Sequence, residues 1–233
     1  MAEAGFRYIG RKRRPTEDRR FVAGAGRFVA DLDLPDMLHV ALVASPYPAA
    51  RILAFDPGAA LALPGVRAVL TGDELAQATD ALPSGLDIPQ VRRFPLAVAR
   101  ARYVGEWVAA VVAETRALAE DAAELVAVEY EPLPFVIDPE AALAPEAPPV
   151  HPEHGSNLLY RRTFTWGAVA QDFAAAAHTL SFRARWHRSA TVPIETFGVV
   201  ARWDPASRLL DVWASIQMPK YPDQLARALR LPG

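Results

Sequence analysis

The side chains best placed to do chemistry in this 233-residue sequence lie in five places. His151-Pro-Glu-His154 sets two imidazoles three residues apart, a spacing that can hold a metal from one face of a helix. Prolines at 148, 149 and 152 deny it that helix, and no third ligand lies nearby, so the pattern reads as a solvated loop. Gly24-Ala-Gly26 has the first two glycines of a dinucleotide-binding loop, but position 29 is Val, no clear strand precedes it and no helix follows. A turn before a strand is expected there. Ser45 lies between Ala44 and Pro46 without a Gly-x-Ser-x-Gly elbow, so it reads as a strand end and not a nucleophile. Glu195 follows Pro193-Ile194 at the entry to an apolar strand, where a carboxylate serves either as a general base or as the holder of a backbone turn. Gln217, in Trp213-Ala-Ser-Ile-Gln-Met-Pro219, ends a strand just before a Pro-started helix. A neutral amide there offers one acceptor and two donors at fixed positions, and strand ends facing a helix start often meet ligands.

Composition narrows the chemistry further. There is no cysteine, which excludes a disulfide framework, a thiolate zinc site, a thiol nucleophile and a self-ligated iron–sulfur cluster. A net charge of −2 gives no global field for nucleic acid or an anionic membrane. No apolar run approaches the ~18 residues that span a bilayer, and Arg-Lys-Arg-Arg at 11–14 lacks the hydrophobic stretch of an export signal. The expected setting is the cytoplasm. The basic run reads as a solvated arm or a subunit-docking segment.

The elements that must position these residues follow from periodicity and breakers. Strands are predicted at 37–44 and 51–56, a one-turn helix at 59–63 stopped by Pro64-Gly65, a strand at 66–70, and a short helix capped by Thr71 or Asp73. Residues 77–95 read as a loop. A buried strand at 104–113 leads to a helix capped by Thr115, with Leu118, Ala122, Leu125 and Val126 on one face, then a strand at 127–131. This β–α–β unit implies a helix lying on a sheet. The prolines of 138–157 predict a semi-rigid linker. Beyond it come a helix at 169–177, an alternating strand at 179–188, a hairpin from 196–203 and 208–215 turning at Asp204-Pro-Ala-Ser207, and a helix at 222–231 with Leu225, Ala228 and Leu229 inward.

In this order the segments are similar to a known family. Gly26-Arg-Phe-Val-Ala-Asp31, Leu34-Pro-Asp-Met-Leu38, Ser45-Pro46, Ala50-Arg-Ile52, Pro64-Gly-Val66, Tyr103-Val-Gly-Glu106, Val111-Val-Ala-Glu114 and Val128-Glu-Tyr-Glu-Pro-Leu-Pro134 resemble the α/β hammerhead of the molybdenum hydroxylase large subunit. That is the xanthine dehydrogenase, aldehyde oxidase and aerobic carbon monoxide dehydrogenase family. Asn157-Leu158, Phe173 to His178, Pro193-Ile-Glu195 and Trp213-Ala-Ser-Ile-Gln217 resemble the first part of its molybdopterin-binding region. Four positions depart from the pattern: Ala49 stands where the family has His, Ile216 where it has Thr, and Ala168 and Ala170 begin a helix that usually carries Asp.

The resemblance implies an α+β protein: an arm at 1–20, a hammerhead domain at 21–137, a Pro-rich linker at 138–157, and the start of a molybdopterin-binding domain at 158–233. It implies a molybdenum–molybdopterin cofactor, in the cytosine-dinucleotide form, that oxidises a small molecule or hydroxylates a carbonyl or heteroaromatic carbon with water. Gln217 matches the family's Gln that reaches toward the molybdenum ligands or substrate. The family's glycine-rich pterin loop and catalytic glutamate find no counterpart up to residue 233. No complete catalytic set and no metal ligand are therefore expected in this chain. The expected function is that of an N-terminal fragment or split subunit, not active alone, whose site is closed by a C-terminal molybdopterin-binding chain and whose electrons pass to iron–sulfur and FAD subunits. The alternative is a non-catalytic interaction or assembly module, or an inactive truncated product.

Overall fold

The computed structural model describes residues 7–83, 91–187 and 191–232. Parts of the expected arm and of the 77–95 loop, and Arg188 of the expected 179–188 strand, lie outside the described residues. By internal contacts the chain forms two units. The smaller joins residues up to Leu34 with Trp186–Gln217, and the larger joins Pro35–Arg185 with Met218–Gly233. In chain order a short helix α1 (Asp18–Val22) and a 3-10 turn (Val29–Asp31) come first. The larger unit then supplies β1 (His39–Ala44), β2 (Ala50–Asp56), α2 (Gly58–Leu61), β3 (Val66–Thr71) and α3 (Gly72–Ala78). It continues with β4 (Arg100–Ala101), β5 (Trp107–Ala113), α4 (Arg116–Glu124), β6 (Ala127–Pro132) and α5 (Val169–Ala175). The hairpin β7 (Val199–Asp204) and β8 (Leu209–Ala214) belongs to the smaller unit, and α6 (Tyr221–Ala228) to the larger. No helix among the described residues is long and apolar enough to cross a membrane.

The larger unit holds two three-stranded antiparallel sheets, ordered β1-β5-β3 and β4-β2-β6. Strand β5 is the axis of the first, and Val108, Ala109, Ala110, Val111 and Ala113 are all buried. One side of it packs Ala109 and Val111 with Ala60 of α2, Ala122 of α4 and Val126. The other packs Val108 with Ala97 and Ala101 and, beyond them, Ile52 and Tyr130 of the second sheet. The fold is therefore α+β, as expected, with every strand pairing antiparallel. The expected β–α–β unit takes a different form. Helix α4 does lie on a sheet, but β5 and β6, the strands it joins, belong to different sheets. Ala119 enters the core while Leu125 is 43% exposed, because α4 stops at Glu124 and Leu125 falls outside its face.

The predicted caps form. Thr71 Oγ1 accepts from Glu74 N–H, and the Glu74 carboxylate accepts from Thr71 N–H at 2.7 Å, a capping box. Thr115 Oγ1 accepts from Leu118 N–H at 3.2 Å. Strand β5 begins three residues later than predicted. Gly105, with φ of 87°, turns the chain before it, and its N–H bonds the Ser45 carbonyl at 2.8 Å.

The strand predicted at 179–188 does not form over 179–187. Its alternation is present, but no other strand pairs with it among the described residues. Leu180, Phe182 and Trp186 are 94%, 89% and 91% exposed. The intervening Arg183 and Arg185 make ion pairs with Glu140 and Asp138. The Pro-rich segment is fastened by Asn157: its Oδ1 accepts from Val150 N–H, and its Nδ2 donates to the Ala142 and Pro148 carbonyls. Helix α6 is tied to the end of α3, where Asp80 N–H donates to the Ala228 carbonyl and the Arg230 guanidinium bonds Asp80 and the Thr79 carbonyl.

Gly72, the first residue of α3, sits so close to the backbone at Ala97 that a Cβ would lie 1.9 Å from the Ala97 carbonyl oxygen. Backbone cannot yield as a side-chain tip does. Gly72→Ala is expected to cost about 3 kcal/mol, at the upper end of overpacking penalties, read as a lowered midpoint in denaturant unfolding.

Candidate functional site

The β7–β8 hairpin is built by its turn. Asp204 Oδ1 accepts from Ala206 N–H at 2.9 Å, its Oδ2 accepts from the Ser207 hydroxyl at 2.6 Å, and Arg208 takes the left-handed conformation with φ of 57°. The Ser207 hydroxyl and the Ala206 N–H hold the Asp204 carboxyl below its ordinary range. Six paired positions, Val199 with Ala214 through Asp204 with Leu209, then fix which side chains share a face. Val199, Ala201, Trp203, Leu210, Val212 and Ala214 make one face wholly apolar. The opposite face carries the Arg202–Asp211 ion pair, with the Arg202 guanidinium 5.7 Å from the Trp213 ring centre.

At the open end of the hairpin the chain leaves the sheet. Ser215 N–H still donates to the Gly198 carbonyl at 3.1 Å, but Gly198 N–H donates to the Ser215 hydroxyl at 2.8 Å. Ile216 N–H turns back to the Ala214 carbonyl at 3.0 Å. Gln217 follows, exposed, and among the described residues its amide makes no hydrogen bond. Among the described residues, both donors and the acceptor of that amide are thus without a partner.

Glu195 holds a backbone turn. Its Oε1 accepts from Val29 N–H at 3.1 Å, at the start of the 3-10 turn, 166 residues away in sequence. Of the two roles left open by sequence, the geometry realises this one. The Gly24-Ala-Gly26 segment is a turn, with Gly24 at φ of 69°, but it leads into the 3-10 turn and not into a strand. It borders an open hollow of about 570 Å³ lined by Phe21, Phe28, Asp31 and Ile194.

The remaining candidates lie in the larger unit. Ser45 ends β1 and is 2% exposed, its N–H bonded to the Glu106 carbonyl. His151 Nδ1 pairs with Glu153 and His154 Nε2 with the Leu158 carbonyl, so the two imidazoles share no target. No group of three or more His, Asp or Glu stands ready for a metal among the described residues. His178 is exposed. Sequence reasoning passed over two features. One is Ser215, whose signal was a hydroxyl at the last rung of a strand. The other is Arg102, which reaches both Glu106 (3.5 Å) and Glu153 (3.9 Å) and so links the hammerhead strands to the Pro-rich segment. Burial raises the Glu153 carboxyl, but its own N–H, His151 and Arg102 together bring it below the usual range. Ala49 lines a cleft of about 200 Å³ with Arg100, Arg102 and the prolines of that segment.

Comparison with known proteins agrees with these features. Residues 23–134 match the aldehyde oxidase and xanthine dehydrogenase a/b hammerhead domain, and residues 150–233 match the molybdopterin cofactor-binding domain. The chain belongs to this family of molybdopterin-dependent oxidoreductases, matching the N-terminal part of their large subunits. It is 36% identical to the 6-hydroxypseudooxynicotine dehydrogenase complex subunit gamma of Paenarthrobacter nicotinovorans, over 97% of this chain and 29% of that protein. It is 38% identical to the carbon monoxide dehydrogenase large chain of Hydrogenophaga pseudoflava, over 87% of this chain and 27% of that one. The structure of quinoline 2-oxidoreductase from Pseudomonas putida 86 superposes with a TM-score of 0.84 at 37% identity, covering 93% of this chain and 28% of that one. The chain thus spans less than a third of the length of each of these relatives.

Two outcomes test the local geometry. Because the Asp204 carboxyl is held low when folded, its contribution is complete above the ordinary Asp range and is lost only as pH falls through the depressed folded value. The Asp204 carboxyl carbon resonance is therefore expected to titrate below the ordinary Asp range. Glu195→Ala is expected to lose about 2 kcal/mol of unfolding free energy, the scale of a hydrogen bond to a charged group, and Glu195→Gln, which keeps the acceptor oxygen, distinctly less.

Proposed function

We propose that this chain supplies the hammerhead and the opening part of the molybdopterin-binding region of a molybdenum hydroxylase large subunit, and that further polypeptide closes the site. The observation that carries this reading is the hairpin face. Six apolar side chains lie together there, with Val199 and Trp203 still 51% and 46% exposed. A two-stranded hairpin is marginal by itself, and an apolar sheet face is stable only against another layer. The greater length of the relatives supports the large subunit as the source of that layer.

The residues present fit the cofactor. Its metal travels on the pterin, so the chain needs hydrogen-bond donors and acceptors and not a cluster of metal ligands. The free amide of Gln217 supplies these without altering the charge of the site. The bound centre would supply a two-electron oxidation with water as the oxygen source. Gln217 would hold the cofactor or the substrate by hydrogen bonding, and the Asp204 turn and the Ser215 rung hold the strand that presents it. The boundaries proposed are an arm at 1–20, the hammerhead at 21–137, a linker at 138–157 and the molybdopterin-binding portion from 158. Also proposed are the cytosine-dinucleotide form of the cofactor, electron transfer to iron–sulfur and FAD subunits, and a cytoplasmic setting.

The test is co-production of the full chain with a polypeptide carrying the remaining portion of a family large subunit. The two are expected to co-purify with stoichiometric molybdenum and to release a cytosine nucleotide on acid treatment. Gln217→Ala in that complex is expected to lower kcat or molybdenum retention by about 10–100-fold, the usual effect of removing an outer hydrogen bond to a metal centre. Failure to associate, or a complex free of molybdenum, overturns the proposal and leaves the interaction-module alternative.

A further inference from the structure

We infer that Ser215 is the positioning residue of this site: its hydroxyl takes the place of a backbone carbonyl in the last rung of the hairpin and thereby aims Gln217 out of the sheet. The inference rests on the reading of Gln217 as the cofactor contact, but its structural half stands separately.

The argument is one of ladder accounting. In an antiparallel pair, residues exchange two backbone bonds at every second position. Gly198 and Ser215 continue the register one step beyond Val199 and Ala214, so they should exchange both. Only one backbone bond is made, from Ser215 N–H to the Gly198 carbonyl at 3.1 Å. The reciprocal donor, Gly198 N–H, goes to Ser215 Oγ at 2.8 Å. The hydroxyl proton is directed back across the same rung, toward the Thr196 carbonyl at 3.2 Å or the Gly198 carbonyl at 3.4 Å. The side chain thus does the accepting, the Ser215 carbonyl is released from the ladder, and the backbone can turn. It does so at once, with Ile216 N–H closing on the Ala214 carbonyl at 3.0 Å.

The strand opposite is anchored in turn. Val29 lies over Gly198, where a Cβ would come within 3.2 Å of Val29 Cγ1, and Glu195 holds Val29 N–H. Segment 195–198 therefore offers Ser215 a fixed partner. A residue without a hydroxyl at 215 must either leave Gly198 N–H unpaired or return its own carbonyl to the ladder. The second course extends β8 by a residue and redirects Ile216 and Gln217. Threonine keeps the acceptor.

The experiment compares Ser215→Ala and Ser215→Thr in the full chain and in the reconstituted molybdenum complex. In the chain, amide exchange at Gly198 and the side-chain amide resonances of Gln217 are followed by NMR. Ser215→Ala is expected to speed Gly198 exchange about tenfold, the scale of one hydrogen bond, or to hold it while adding a protected rung, and in both cases to shift the Gln217 resonances. Ser215→Thr is expected to restore both. In the complex, Ser215→Ala is expected to lower kcat about tenfold and to alter the molybdenum(V) paramagnetic signal, with no further loss when combined with Gln217→Ala. Unchanged Gln217 resonances in Ser215→Ala overturn the inference, leaving Ser215 a structural hydroxyl. Should Gln217→Ala itself prove silent in a molybdenum-loaded complex while Ser215→Ala still moves the Gln217 amide, the cofactor reading fails and the positioning role stands.

Discussion

A strand buried on both faces and paired on both edges leaves no room for error in side-chain volume, and β5 is such a strand. Its sequence, Trp107-Val-Ala-Ala-Val-Val-Ala113, is almost all alanine and valine because α2 and α4 press on one side and the second sheet on the other. Small side chains bring the layers close, and the closeness recurs around it: Gly72 meets Ala97 backbone without space for a methyl group, and Ala60, Ala101 and Ala122 are wholly buried. Close packing of this kind makes the interior respond to single methylenes, so the larger unit is held by fit as much as by apolar area. Val43, Phe55 and Val128 touch both clusters and join the two sheets into one core.

The smaller unit works by a different principle. It has few wholly buried side chains and depends on directional bonds between distant stretches of chain: Glu195 to Val29, Ser215 to Gly198, and Asp204 within its own turn. Such bonds define geometry closely while contributing about 1–2 kcal/mol each. That suits a segment whose proposed role is to present one amide and whose apolar face is partly exposed. The exposed ion pairs nearby, such as Arg202–Asp211, keep the opposite face of the hairpin wet and add little energy.

Sequence made the larger unit legible because its signals are local. Thr71 and Thr115 cap helices whose starts they announce, and Pro64-Gly65 and the prolines after Glu131 end what precedes them. The failures came where local pattern had no partner. Residues 179–187 alternate as a strand should, yet a strand exists only by pairing, and none is available among the described residues. Likewise the helix between β5 and β6 was foreseen, but its joining of two sheets was not, since the sheet to which each strand belongs is a long-range fact. The position of Gln217 just past a strand end was legible, while its role toward the cofactor is implied only by the family resemblance. The role of Glu195 was legible only as a pair of alternatives, because its partner Val29 is 166 residues distant. Ser215 went unremarked because a serine at a strand end is common and its significance lies in one missing carbonyl bond.

The two tryptophans of the hairpin stand on opposite sides of the sheet, at Trp203 and Trp213. Trp213 is shielded beneath a guanidinium, whereas Trp203 looks out from the bare side. Once the chain's other three tryptophans, Trp107, Trp166 and Trp186, are replaced, this pair becomes a set of internal optical reporters, one sensitive to whatever arrives on that side and one serving as its reference. Their emission distinguishes an occupied surface from a vacant one with no added label.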